Sequence, residues 1–334
     1  MRRPIGGVAR LLIGLAISGV ALYLALRWAG WRPLLSALLD VNYAVLVPAA
    51  GIYLVAMVAR GLSWREILGR RAGLWRHLAA LNEGYLLNNL LPWRMGELGR
   101  AVLLGRRPGL SAPMVLSSIV GERLFDMAFA VGLLLAMAPI AFGATWAPRA
   151  AAIGGGALIG AIVVLGVAAA RPALVERILE RLPGGLQRWG RPWEAMRSGL
   201  GSLRRADRFL LAMAWMGASW ALAGAEYWVV LRAFIPEAPF AWALLALCVT
   251  LLGVAIPSAP GYVGVFEASA VAALSVFGVA SPVALGYALV LHALHYGITT
   301  LLGALALAGE GETLAGAVRA ARSWAGQGSP RQAG

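Results

Sequence analysis

The sequence predicts an all-α polytopic membrane protein with about 7–8 transmembrane helices plus re-entrant or broken half-helices, and it leaves room for an internal repeat. Three observations carry this. The chain is 60% hydrophobic and only 13% charged, against about 25% charged residues in an average soluble domain. Its apolar residues fall in runs long enough to cross a bilayer, which takes about 20 residues. Its basic residues gather in short segments between those runs, as the positive-inside rule requires.

The charge pattern also sets what the chain does not do. The formal charge is +14 and all 29 basic residues are Arg. Such a balance could suggest nucleic acid, but Arg placed between apolar spans is a topology signal, so no nucleic-acid partner is expected. Cys248 is the one cysteine; an intrachain disulfide and a Cys₄ metal site are excluded. No P-loop, GxSxG or HExxH string occurs, so ATP-driven pumping and those hydrolase chemistries lack support. No cofactor and no metal are expected.

Good spans run from about 8 to 28, 42 to 59, 113 to 140, 150 to 170, 209 to 233, 240 to 257 and 282 to 308. The first follows MRRP without a convincing cleavage site and reads as an uncleaved span. A single transmembrane domain, 1–308, is expected, followed by a cytoplasmic tail, 309–334, disordered at its end. With the N-terminus inside, Arg2, Arg3, Arg10, Arg60, Arg65, Arg70, Arg71, Arg76, the Arg-rich stretch 171–208 and the tail all lie inside. The outer segments keep only Arg27, Arg32, Arg149 and Arg232. Both termini are therefore expected on the cytoplasmic side of a bacterial cytoplasmic membrane. The stretch 171–208, divided by Pro and Gly, is expected to form amphipathic helices at headgroup level or a solvated connector. WRPLLSALLDV, 31–41, could be a similar interfacial helix on the outer side.

Two apolar stretches cannot cross simply. The region of about 78–107 has Arg-rich segments on both sides, so it must enter the bilayer and return, and backbone of that kind needs a protein-lined or wet cavity. It contains NEGYLLNNLLPWRMGELGR, Asn82 to Arg100. Pro92 breaks the helix, Asn88 and Asn89 precede it, and Arg94, Glu97 and Arg100 then recur every three residues along one side. A charge at the bilayer centre costs about 2.5–3.5 kcal/mol even on the lenient scale. The row keeps surplus positive charge, which favours a phosphate, an anion that Arg binds in bidentate fashion. The alternative is a segment at the interface with its charges in water.

The second motif is SSIVGERLFDMAFAVGLLLAM, Ser117 to Met137. Glu122 and Asp126 share a helix face and repel unless a cation or a proton intervenes. Arg123 points some 100° away, so an Arg of the first motif is the expected partner, either to brace the fold or to serve transport. The third, LLGVAIPSAPGYVGVFEASA, Leu251 to Ala270, breaks at Pro257 and Pro260, frees its backbone at Gly261 and Gly264, and opens the next helix with Glu267. The segment 257–279 thus repeats the layout of the first break. Paired interruptions of this sort point to a transporter site.

Weaker candidates remain. His292 and His295 lie on one face of the last span and suit packing or interhelical hydrogen bonding better than metal binding or proton relay. Glu226 is an intramembrane acid and a functional candidate by default. Trp28, Trp31, Trp64, Trp146, Trp193 and Trp242 fall near span ends and read as interfacial anchors.

The order NNLLPWRMGELGR, GERLFD, IPSAPGYVGVFE, on a chain of this length, resembles the lysylphosphatidylglycerol synthase transmembrane-region family of flippase-like proteins over residues 8–308. The resemblance implies lipid translocation. It places the family's motif on Asn88 or Asn89, Pro92, Arg94, Gly96, Glu97 and Arg100, on Glu122, Arg123 and Asp126, and on Pro260, Gly261, Gly264 and Glu267. Tyr262 departs from a second Gly of relatives, and the sequence shows no aminoacyl-transfer domain, so lysyl-lipid synthesis is not expected. The leading expectation is a translocase for a phospholipid or polyprenyl-phosphate-linked lipid, with membrane lipids of anionic headgroup as its partners. Arg94 and Arg100 would bind phosphate, Glu97 and Glu267 would hold those Arg or the turns, and Glu122 with Asp126 would take a proton or a cationic headgroup. A membrane-embedded enzyme on a lipid-linked phosphate, or a scaffold subunit of an envelope-lipid pathway, is the alternative. A homo-oligomer or an envelope-synthesis partner stays open.

Overall fold

The computed structural model describes residues 7–92, 94–141, 147–171, 173–174, 177, 201–256 and 258–327, and every regular element among them is helical. In chain order these are α1 Gly7–Ala29, α2 Trp31–Leu39, α3 Leu46–Ile67, α4 Leu74–Leu90, α5 Met95–Gly105, α6 Ala112–Ala141, α7 Ala147–Ala170, α8 Ala206–Phe234, α9 Phe240–Gly253, α10 Val265–Ser275, α11 Ser281–Gly309 and α12 Leu314–Gln327. The expectations for most of 171–208, for Pro257 and for the last residues of the tail fall outside the described residues. Within the tail, 314–327 forms α12, which packs on α5 through Ala321 against Gly99.

Three stretches among the described residues, Tyr43–Ile67, Ala206–Phe234 and Ser281–Gly309, are both long and apolar enough to cross a membrane. The bundle is apolar outward as well as inward: Leu12, Val47, Ile153, Val164, Leu301 and Leu305 are all more than half exposed. Water would penalise that surface and hydrocarbon does not. Helices α6 and α7 meet through small residues, Gly132 under Leu158 and Gly154 under Ala136, the close approach typical of packing in lipid.

The sequence expectation of a full span over 240–257 is corrected. Helix α9 has 14 residues, about 21 Å at 1.5 Å per residue, and cannot cross a hydrocarbon core of about 30 Å. It folds back through a break onto α10, which has 11 residues. The same happens between α4, with 17 residues, and α5, with 11. The order long, short, short, long therefore occurs twice, as α3–α4–α5–α6 and as α8–α9–α10–α11.

The directions of α3 and α8 decide how the two hairpins meet. Ser63 near the end of α3 donates to the carbonyl of Ala212 near the start of α8 at 2.9 Å, and Arg208 donates to the carbonyl of Gly69 at 3.1 Å. The two helices are antiparallel, so the hairpins that follow them start from opposite ends of the bundle. Their tips converge. A Cβ on Gly261 would sit 3.6 Å from the carbonyl oxygen of Asn89, and the Tyr296 hydroxyl donates to that oxygen at 3.3 Å.

Each tip depends on left-handed backbone. Arg94 has φ 53° and ψ 34°, Tyr262 φ 60°, Gly261 φ 67° and Gly264 φ 89°. A left-handed conformation costs a side-chain-bearing residue about 1–2 kcal/mol, so Arg94 and Tyr262 hold their side chains against a local penalty. The first hairpin closes where the Gly96 amide donates to Asn88 Oδ1 at 2.8 Å, and its arms touch at Gly84 and Gly96. A methyl group on Gly96 would overlap the carbonyl of Gly84 and the Asn88 amide. Gly96→Ala is therefore expected to destabilise the protein by about 1–3 kcal/mol, read as a lower thermal midpoint in detergent. Gly155→Ala, inside α7 with no atom within 4 Å of the added methyl, is expected to hold or slightly raise the midpoint.

Candidate functional site

Helix α6 brings Glu122 and Asp126 into the bundle with no solvent exposure. Two carboxylates on adjacent turns repel strongly at this depth, and three guanidinium groups compensate. Arg60 from α3 donates through Nη1 to Glu122 Oε1 at 2.9 Å and Asp126 Oδ2 at 3.0 Å, and through Nη2 to Asp126 Oδ1 at 2.9 Å. Arg100 from α5 donates through Nη2 to Glu122 Oε2 at 2.6 Å, with its Cζ 3.4 Å from the centroid of the Trp64 ring. Arg123 reaches Asp126 Oδ2 at 3.0 Å and Glu122 Oε1 at 3.4 Å. Trp220 from α8 completes the set, donating to Asp126 Oδ1 at 3.2 Å.

Three sequence expectations change here. Arg60, assigned to the cytoplasmic side by the charge count, lies inside α3 and is the bidentate partner of Asp126. Arg123, expected to point away from Glu122, bends its long side chain back over the preceding face and joins the cluster. Glu122 and Asp126, expected to take a coupling proton or a cationic headgroup, are occupied by the protein's own cations. The expected link from the first motif does occur, as Arg100 to Glu122.

Arg94 stands apart. It caps α5 from a left-handed backbone, pairs through Nη2 with Glu97 Oε1 at 3.1 Å, and keeps 27% of its side chain exposed. Glu97 also faces Arg123 Nε at 3.6 Å. Arg60, Arg94, Arg100 and Arg123 give four positive charges against three negative ones from Glu97, Glu122 and Asp126, so the cluster carries one surplus positive charge. These Arg and Glu97 line a cavity of about 200 Å³ together with Tyr85 and Tyr262.

A second cavity of about 160 Å³ shares Tyr53, Tyr85, Asn88, Val254 and Tyr262 with the first. Asn89 faces it and donates to Thr299 and Thr300 on α11 at 3.0 and 2.9 Å, tying the first tip to the last long helix. His292 and Glu267 meet at 2.6 Å, and His295 and Glu226 at 2.7 Å. Glu267 Oε2 accepts from the Gly264 amide at 2.6 Å and caps α10. The interhelical hydrogen bonding expected of the two His thus runs to buried acids far off in sequence.

Of the residues singled out by motif, Asn88, Arg94, Gly96, Glu97, Arg100 and Arg123 line the first cavity, while Glu122 and Asp126 stand behind them. Pro92 lies in the first tip; Pro260, Gly261 and Gly264 shape the second. Sequence reasoning missed Tyr53, Arg60, Tyr85 and Trp220. The signal for Arg60 was present: Tyr53, Arg60 and Trp64 recur at helical spacing on one face, and the apolar pattern runs on past Arg60 to Ile67 and Leu68.

Fold and cavity together define a helical membrane protein with a net-basic polar pocket where two broken hairpins meet. The chain belongs to the lysylphosphatidylglycerol synthase TM region family, whose pattern matches residues 11–303. It is 26% identical over 310 residues to a UPF0104 membrane protein of Methanothermobacter thermautotrophicus, covering 87% of this chain and 90% of that protein. It is also 31% identical over 128 residues to the glycosyltransferase AglD of Haloferax volcanii, covering 37% of this chain and 20% of that protein. The chain therefore spans only a fifth of AglD's length.

Removing one partner of a buried ion pair costs about 3–5 kcal/mol because the other charge stays behind. Arg60→Met is expected to fall in that range in a detergent unfolding assay. The double variant Arg60→Met with Asp126→Leu recovers part of the loss, since Arg123 and Trp220 then lose a partner instead.

Proposed function

We propose that the chain is a lipid translocase whose first cavity receives the phosphate of a lipid headgroup while the acyl or prenyl chains stay in the bilayer. The observation that carries this is the single surplus positive charge of a polar cavity built between two hairpin tips inside the membrane protein. A surplus positive charge at such depth is costly, and an anionic phosphate is the ligand that would neutralise it with charge-assisted hydrogen bonds. Arg94 is the primary contact, with Arg123 beside it; Arg100, 3% exposed and held by Glu122 and Trp64, serves as a brace. Broken helices from opposite ends of a bundle suit alternating access, because either hairpin can move against a fixed long-helix frame.

The partial likeness to a glycosyltransferase supports a sugar-bearing phosphate among the candidate lipids. Enzymatic action on such a lipid is the weaker reading. Glu122 and Asp126 accept from guanidinium groups and are poor bases, and no set of three metal ligands converges among the described residues.

Reconstitution in vesicles with an acyl-labelled phosphatidylglycerol, followed by quenching of the outer leaflet, tests the reading. Arg94→Gln is expected to slow headgroup movement about tenfold to a hundredfold, the equivalent of one charged hydrogen-bonding contact of about 1.5–3 kcal/mol, at unchanged thermal midpoint. Wild-type vesicles that exchange label no faster than empty ones would sink the proposal.

A further inference from the structure

We infer that the two imidazole–carboxylate pairs, His292 with Glu267 and His295 with Glu226, form a proton-binding site that drives anion passage through the second cavity. The inference rests on the translocase reading. The two cavities share a wall of Tyr53, Tyr85, Asn88, Val254 and Tyr262, and the inference routes a phosphate held by Arg94 in the first through the second. With both imidazoles neutral and both acids ionised, each pair carries one negative charge and repels the headgroup. One proton taken up by each imidazole turns the pair into an imidazolium–carboxylate couple of zero net charge, and the barrier falls.

The geometry favours this over bracing or metal binding. The two His stand one turn apart on α11, and Phe266 neighbours both, with ring centroids 4.6 Å from His292 and 6.4 Å from His295. Both His line the cavity and can exchange with what enters it. Glu226 is fully buried, yet its Oε2 has no hydrogen-bond partner. A buried ionised oxygen left without a donor is unfavourable, and uptake of a proton by the pair removes the net charge it would otherwise carry. The pairs do not assemble into a set of three metal ligands. Glu267 adds a mechanical link, because its other oxygen caps α10 at the left-handed Gly264, so a change of charge there acts on the second tip.

The surroundings hold few competing charges. From α3 come Tyr53, stacked on His295 at 4.5 Å, and Arg60, already held by Asp126. From α4 comes Tyr85; Glu83, two residues earlier on that helix, interacts with Glu310, Glu312 and Arg107 instead. Helix α8 gives Glu226 and Tyr227, α9 gives Cys248, the second tip gives Tyr262, and α11 itself adds Tyr287 and Tyr296. On α1, Tyr23 and Arg27 bond to each other at the exposed surface, and Arg32 and Asp40 at α2 are exposed. Arg94, Glu97 and Arg123 sit in the adjoining cavity.

The test uses full-length protein in vesicles of labelled phosphatidylglycerol with an entrapped pH dye, with and without an imposed pH gradient. Wild-type movement along the proton gradient is expected to quicken by up to about tenfold per proton and per pH unit, accompanied by dye-reported proton entry. His295→Gln, which fixes its pair at one negative charge, is expected to lose about half of that acceleration because the His292–Glu267 pair remains, and His292→Gln with His295→Gln to lose all of it. Glu226→Gln, which leaves its pair neutral at any pH, is expected to raise gradient-free exchange and lose its share of the response, each variant being checked for an unchanged elution profile and melting temperature. Wild-type exchange indifferent to the gradient, or variants that keep the full response, would overturn the inference and leave the translocase reading standing. If the wild type exchanges no lipid in any arm, the translocase reading fails first, and the drive of anion passage falls with it. A pH-titrated infrared difference spectrum of the purified protein then decides proton binding: a titrating component of the wild type that is missing from His295→Gln upholds it, and identical spectra of wild type and variant overturn it.

Discussion

The contact on which the rest of the architecture depends is the one between Arg60 and the two acids of α6. Asp126 takes two hydrogen bonds from that guanidinium and Glu122 a third. Without them α6 would carry two like charges one turn apart inside the bundle, and the segment could not stay where it is. With them, α3 and α6 are fixed in register, Arg100 brings α5 and its hairpin onto the same acids, and Trp220 adds α8. Four elements are positioned by four charged groups and one indole.

That anchoring explains why the hairpin tips can be strained. Arg94 and Tyr262 sit in left-handed backbone where Gly would be easier. Both strained residues face the first cavity, one from each tip. Such conformations persist only when the surroundings over-determine them. The first tip is held by Asn88 onto the Gly96 amide and by Asn89 onto Thr299 and Thr300; the second is held by Ser18 Oγ accepting from the Ala259 amide at 2.9 Å and by Glu267 at Gly264. The departure at Tyr262 from the expected glycine therefore has a use: it supplies an aromatic wall common to both cavities.

Much of this was legible in the sequence, because the clues were local. Pro92, the Gly-rich stretch after Pro260 and the flanking Arg segments announce breaks and a return of the chain, and the structure has both hairpins. Apolar run length was less informative. The run from 240 to 257 has the composition of a span, but composition does not reveal that Gly253 presses against Ser269 and that the helix stops there. Charge counting also misled at Arg60, since an Arg at the end of an apolar run looks the same in sequence whether it faces water or an acid 66 residues away. The pairings of His292 and His295 were illegible for the same reason: Glu267 and Glu226 come from other helices, 25 and 69 residues distant.

The energetics of the cluster bear on whether it is only a brace. A buried ion pair seldom stabilises a fold more than well-packed apolar side chains of similar volume, because desolvation of the charges offsets their attraction. Leucine and methionine could join α3, α5 and α6 without that cost, and the neighbouring α6–α7 contact is made that way, by glycine and leucine. The charged solution is confined to the side of α6 that backs the first cavity. It is also unbalanced, four cations to three anions, with the surplus at Arg94, the most exposed guanidinium of the set. A brace gains nothing from imbalance, whereas a site that must attract an anion from a membrane surface, hold it and release it needs a positive charge that the protein itself leaves incompletely neutralised.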